Sequence, residues 1–137
     1  MSEKLSIVLF SGTVDKLMAA SILATGAAAM GKDVNLFLTF WGLMGFRKDD
    51  WKTNQKMSAD FAEYAQMAGE AMVQHKVPSW RQTLEEAMEV GNVNIYACGM
   101  TMDLFGLKLE HLEPIVKDII GVAGFVSMAE DGQTLFI

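Results

Sequence analysis

The chain is poor in the residues on which several kinds of chemistry depend: one cysteine, two histidines and two prolines in 137 residues, with 17 acidic side chains against 11 basic ones. A single cysteine rules out an intramolecular disulfide and any two-cysteine redox motif, so covalent thiol chemistry would need sulfur from a partner or a small molecule. His75 and His111 have no cysteine or second histidine at ligand spacing, so no metal site is expected. A net charge of −6 argues against nucleic acid as a partner, because phosphate backbones are bound by clustered Lys and Arg. No G-x-G-x-x-G or Walker sequence is present, which speaks against a nucleotide; no cofactor is expected. The longest uncharged stretch, Leu17 to Gly31, falls short of the roughly 20 apolar residues that span a bilayer, and membrane association is not predicted. The start, Met1-Ser2-Glu3-Lys4, lacks the features of a signal peptide, and the expected location is cytoplasmic.

What is present is a composition suited to one compact domain over residues 1–137: 51% apolar, 20% charged, without low-complexity runs. Leu5 to Phe10 is an apolar run ending in Ser11-Gly12, as a buried parallel strand feeding a helix would be. The helix is predicted from Thr13, with Asp15 in its first turn, to a stop at Gly31. A second strand spans Val34 to Phe40. In the long segment that follows, apolar residues from Met57 onward keep an interrupted helical spacing. Ser79 and Gln82 have the spacing of a capping box, which opens a helix with Leu84, Ala87, Met88 and Val90 as its apolar stripe until Gly91. A third strand, Val93 to Ala97, delivers Cys98-Gly99. Short helical pieces are predicted from about Thr101 and over Lys108 to Leu112, then a strand Ile115 to Ile120 after Pro114, a helix Val122 to Glu130 and a strand Thr134 to Ile137.

Strands alternating with helices, without hairpin signals, imply an α/β fold with a five-stranded parallel sheet and helices on both faces. Ligands of such sheets bind beyond the carboxyl ends of the strands, where Ser11-Gly12, Thr39 to Gly42 and Cys98 to Asp103 are expected to converge on one pocket. Cys98, at a strand end before a helix start, is the candidate reactive residue, because unpaired N–H groups there can stabilise a thiolate. Its competing reading is a small buried apolar residue, the commoner fate of a free cysteine. Gly99 permits a sharp turn and close approach, and Thr101 can cap the next turn or donate to a bound sulfur or oxyanion. Asp103 would raise the thiol pKa unless it points away. Trp41 can wall the pocket, although such a residue more often packs over a core edge or into an interface. Ser11-Gly12 can hold an anion or be an ordinary capped turn. The eleven methionines are read first as core filler and second as an adhesive surface in the middle segment.

Three strings carry a resemblance over nearly the whole chain: Phe10-Ser11-Gly12 with Asp15-Lys16; Ala27 to Gly31 followed by Phe37-Leu38-Thr39-Phe40-Trp41-Gly42-Leu43; and Ala97-Cys98-Gly99-Met100-Thr101-Met102-Asp103. Together they resemble the DsrE/DsrF-like sulfur-relay family, in its DsrE-like branch often labelled peroxiredoxin-like. The resemblance implies a three-layer flavodoxin-like fold, assembly into homo- or hetero-oligomers, and a cysteine, here Cys98, that accepts persulfide or a related sulfur group and passes it to a small sulfur-carrier protein. This chain would then be a sulfurtransferase and homo-oligomer that works with such a carrier or with a rhodanese-type donor. Ser11, Gly12, Thr39, Trp41, Gly42, Gly99, Met100, Thr101, Met102 and Asp103 would line its substrate site. It departs from many relatives in having Gly99 where a polar residue is common, and in a methionine-poorer segment after Trp41. The alternative is a non-catalytic oligomeric binding or adaptor protein of a sulfur-metabolism complex. Peroxide reduction is weakened by the lack of a resolving cysteine.

Overall fold

A computed structural model describes residues 3–137. Met1 and Ser2, the first part of the start read above, lie outside the described residues. The elements run β1 (Lys4–Leu9), α1 (Val14–Ala29), β2 (Asp33–Leu38), α2 (Phe40–Gly45), α3 (Ala65–Gln74), α4 (Trp80–Val90), β3 (Val93–Cys98), α5 (Gly99–Phe105), β4 (Asp118–Ile120), α6 (Val122–Met128) and β5 (Gln133–Phe136). Short 3-10 turns occupy Asp50–Lys52, Ala59–Tyr64 and Leu109–His111.

The strands form one five-stranded sheet in the order β4-β3-β2-β1-β5, and every pairing is parallel. From β1 to β4 each connection steps the same way, and right-handed crossovers therefore put α1 and α4 together on one face. The step from β4 back past β1 to β5 puts α6 on the other. Both faces are thus covered, as expected of a flavodoxin-like α/β fold, though very unequally.

The first face holds the main core. Leu5, Ile7 and Leu9 of β1, Val34, Leu36 and Leu38 of β2, and Val93, Ile95 and Ala97 of β3 alternate inward and meet Leu17, Ala20 and Ala24 of α1 with Leu84 and Ala87 of α4. Small side chains on α1 let α4 approach closely, and Gly31, at φ 82°, ends α1 in a conformation costly for other residues. The second face is a smaller cluster of Phe37, Cys98 and Phe125, edged by Val8, Tyr96 and Ile120. There Phe37 stacks on Phe125 of α6, centroids 4.6 Å apart. Lys4 reaches across to bond the Met128 carbonyl at the end of α6, 3.2 Å away, where a cation suits the helix terminus.

Several expectations are corrected. β2 ends at Leu38, and Phe40, expected to close it, starts α2 instead, since Thr39 N–H donates to Leu9 O and Gly42 N–H to Phe10 O. β4 is only Asp118–Ile120, because buried Glu113 holds the chain before it in a turn: its N–H donates to Phe46 O and its carboxylate pairs with Arg81 at 2.8 Å. Ser79 caps α4 by accepting from Gln82 N–H at 3.1 Å, but the Gln82 side chain turns to Glu86 and leaves the capping box half made. Methionine fills the main core only at Met102 and borders it at Met18 and Met88. Of the described methionines only Met102 is buried, while Met30, Met67 and Met100 are exposed. The middle segment supplies a 3-10 turn and then α3, and neither contains a buried residue.

Candidate functional site

β3 ends on Cys98, whose extended backbone (φ −69°, ψ 118°) makes it the N-cap of α5. Strand alternation turns its side chain to the second face, and the residue is 5% exposed. The thiol makes no side-chain cap hydrogen bond. Its ionised form is nonetheless favoured. Burial pushes the thiol pKa up, but the hydroxyl and N–H of Thr101, the Thr39 hydroxyl and the Met100 N–H outweigh burial and bring it below the ordinary thiol range. Asp103 lies exposed and is not among the groups acting on the sulfur.

Thr101 is wholly buried. Its hydroxyl lies 3.2 Å from that of Thr39 and accepts from Phe40 N–H at 3.3 Å. Phe40 is held at φ 48°, an uncommon backbone for a bulky residue. The β2–α2 junction and the first turn of α5 are thereby joined beside the cysteine.

Aromatic rings surround this junction. Phe40 lies 6.2 Å from Phe105 of α5 and 5.7 Å from Phe10, and Trp41, half exposed, lies 5.9 Å from Phe105. Phe10 also stacks on Phe136 at 5.7 Å, which fills the crevice between β1 and β5 where the strand order reverses. The loops can come this close because of two glycines. A Cβ at Gly12 would overlap the Trp41 carbonyl, and one at Gly42 the Leu9 carbonyl.

Beyond Trp41 lies a cleft of about 770 Å³, lined by Ser11, Gly12, Thr13, Trp41, Met44, Arg47 and residues 53–56. The expected single pocket is therefore two neighbouring places. Ser11, Gly12 and Trp41 line the cleft, whereas Thr39 and Thr101 adjoin Cys98 and stand outside that lining. Gly99 packs near Ile119 and Ile120 of β4, Met100 is exposed, and Met102 points into the main core. The Ser11-Gly12 turn is not an open anion cradle: Val14 N–H, at the start of α1, donates to Lys56 O at 2.7 Å, and Ser11 N–H to Ile137 O. Asp15 binds the same loop, accepting from the Ser58 hydroxyl at 2.6 Å.

Sequence reasoning missed Phe105, Arg47 and residues 53–56. Phe105 was within reach, four residues beyond Thr101 on one short helix, which places the two on one side. Nothing local marks 53–56, which a distant contact with α1 folds over its first turn. Among the described residues no group of three or more His, Cys, Asp or Glu side chains is placed to hold a metal ion, and no helix is long and apolar enough to cross a membrane.

Comparison with known proteins adds four relations. A family model described as DsrE/DsrF/DrsH-like matches residues 1–67 and 56–137. An uncharacterised protein of Bacillus subtilis (strain 168), YrkE, is 37% identical over 99% of this chain and 98% of its own length. The sulfur carrier protein DsrE2 of Allochromatium vinosum is 28% identical over 96% and 95% respectively. In fold, the chain is similar to the solved structure of MTH1491, a protein of unknown function from Methanobacterium thermoautotrophicum, with a TM-score of 0.61 over 99% of this chain and 100% of that one at 14% identity.

Proposed function

The chain belongs to the DsrE/DsrF/DrsH-like family, a family of sulfur relay, and from that premise we propose that it traffics sulfur, carrying it as a persulfide on Cys98 and passing it to a small sulfur-carrier protein. The observation that carries this reading is the place of Cys98 at the end of β3 as the N-cap of α5, beside the paired hydroxyls of Thr39 and Thr101. Two hydroxyls and two backbone N–H groups favour the thiolate against the burial that opposes it; a cysteine that only fills space needs none of them.

The thiolate is the attacking species in sulfur exchange. Cys98–S⁻ attacks the outer sulfur of a donor persulfide R–S–SH, the donor S–S bond breaks with its electron pair leaving on the inner sulfur, and Cys98–S–SH and R–S⁻ result. In the second half an acceptor thiolate attacks the outer sulfur and Cys98–S⁻ leaves. The step needs neither oxidant nor metal, and the donors that favour the thiolate in the resting protein also favour it as leaving group. A rhodanese-type donor and a small carrier protein with a reactive thiol fit the two ends of this exchange. Assembly into a homo-oligomer is part of the same reading, supported by the Ala59–Tyr64 turn and α3, which between them expose Phe61, Tyr64, Met67 and Val73.

A second reading, a non-catalytic oligomeric adaptor of a sulfur-metabolism complex, is favoured by the 5% exposure of Cys98. The two separate on loading and discharge. Reduced protein and Cys98→Ser are incubated with polysulfide, freed of excess, mixed with a small thiol acceptor and followed by intact mass. The carrier reading expects the wild type alone to gain the mass of sulfur and to lose it to the acceptor. Wild type that gains nothing, or gains sulfur it does not release, favours the adaptor.

A further inference from the structure

We propose that α6 is a lid over Cys98 that opens from its first turn, so that access to the sulfur is gated by the unseating of Phe125 from Phe37. The inference rests on Cys98 as the sulfur-bearing residue and adds to that reading the control of access to it.

A sulfur on a residue that is 5% exposed must be uncovered before a donor or an acceptor reaches it. The topology puts one end of α6 at that place. Ile120, the last residue of β4, pairs with Cys98, and α6 begins at Val122, so the chain leaves the sheet beside the sulfur and turns back across the second face. Phe125 then lands on Phe37, in the cluster that also holds Cys98. At its far end the helix is tied down. Lys4, at the start of β1 and so at the opposite end of the strands from Cys98, bonds the Met128 carbonyl, and the chain after the helix passes so close that a Cβ at Gly132 would overlap Lys4. The fixed end of α6 is remote from the sulfur, and the loose end lies beside it.

Three features keep the loose end weakly seated. Of the seven residues of α6 only Phe125 is buried, and a helix this short does not persist in water without its packing; unseating Phe125 therefore unwinds it. Gly121 and Gly124 are not at positive φ, and a Cβ at either would meet nothing within 4 Å. The closed lid has both the space and the backbone for a side chain at these positions, and glycine inside a helix weakens it. One step down the same face from the Phe37 seat, Ser6 and Asn35 are partners across β1 and β2, 0% and 5% exposed, and the Ser6 hydroxyl has no hydrogen-bond partner among the described residues. A buried hydroxyl without a partner costs free energy that water returns when the cover lifts.

The test is the rate of Cys98 alkylation by iodoacetamide in wild type, Gly124→Ala and Gly121→Ser, compared on the high-pH plateau, where every thiol is ionised and the variants differ in access alone. Alanine for glycine within the helix should slow Gly124→Ala about fivefold, and a serine cap on its first turn should slow Gly121→Ser about twofold. Low urea should leave the wild-type rate nearly unchanged, because opening one short helix exposes little surface. Variants as fast as wild type overturn the lid, and an unslowed Gly121→Ser does so even if Gly124→Ala does not fold. A rate that climbs with urea as steeply as global unfolding also overturns it, since Cys98 is then reached only through the unfolded chain. Wild-type sulfur loading from polysulfide is measured alongside. Failure to load while the variants slow alkylation overturns the carrier reading and upholds the lid, whereas loading with unslowed variants overturns the lid alone.

Discussion

The two faces of the sheet are unlike in a way that separates stability from chemistry. On the first face, three strands and two long helices bury more than a dozen aliphatic side chains in one continuous core. On the second, one helix of seven residues covers a cluster centred on Phe37, Phe125 and Cys98. The first face has no reactive group to protect and packs to the limit; the second keeps a nucleophile under light cover, bounded by hydroxyls. A carrier that must admit two partners in turn needs cover of the second kind, because tight packing around the sulfur would bar both.

Substitutions can break this comparison at either face. The largest effect is expected on the first: Leu36→Ala, at a fully buried site, should destabilise by about 3 kcal/mol in denaturant unfolding, through lost burial and the cavity left behind. Phe125→Ala on the second face should cost less, about 2 kcal/mol, because its short helix can settle into the gap. It should also speed alkylation of Cys98 by uncovering it and move the pH midpoint downward, because less burial then opposes the thiolate. Equal losses at Leu36 and Phe125 would show that the faces are not partitioned as described.

A smaller effect is expected at Asp15, which ties the 53–58 loop to α1. Burial raises its pKa, but hydrogen bonds from the Ser58 hydroxyl and the Ser58 and Lys16 N–H groups outweigh that and hold it below the usual carboxylate value. A carboxyl lowered on folding contributes stability that is present above its unfolded pKa and is lost as pH falls through the folded one. Asp15→Asn should therefore cost about 1 kcal/mol at neutral pH, and the difference from wild type should vanish in acid. The smallest change in stability is expected at the residue of greatest functional weight. Cys98→Ser replaces one small side chain by another among groups able to hydrogen-bond it, so its unfolding midpoint should stay within about 1 kcal/mol of wild type while sulfur uptake disappears.

The sequence announces the first face more fully than the second. The apolar runs of β1 to β3, the alanines of α1 and the Ser79 cap each follow from local pattern, and so do the parallel sheet and its carboxyl edge. Cys98 at a strand end and Thr101 three residues later were also legible, since their relation lies within one turn. The contact between Thr39 and Thr101 was not, because it spans 62 residues and depends on a backbone at Phe40 that no propensity suggests. The cleft escaped for a related reason: residues 53–56 reach the start of α1 through Lys56 O and Asn54, whose side chain donates to Gly12 O at 3.0 Å. The methionines misled because composition does not say which side of a helix meets a core. Met67 and Met72 of the middle segment lie on α3, which contains no buried residue.

The central claim, that Cys98 under its light cover reacts as a thiolate in the folded protein, is tested most directly by intact-mass measurement of sulfur uptake from polysulfide by native and by urea-unfolded protein at neutral pH. The account predicts that the native protein takes up sulfur at Cys98 at least as fast as the unfolded chain, because the surrounding donors raise the thiolate fraction. Uptake only after unfolding would contradict it and make Cys98 a residue of the core.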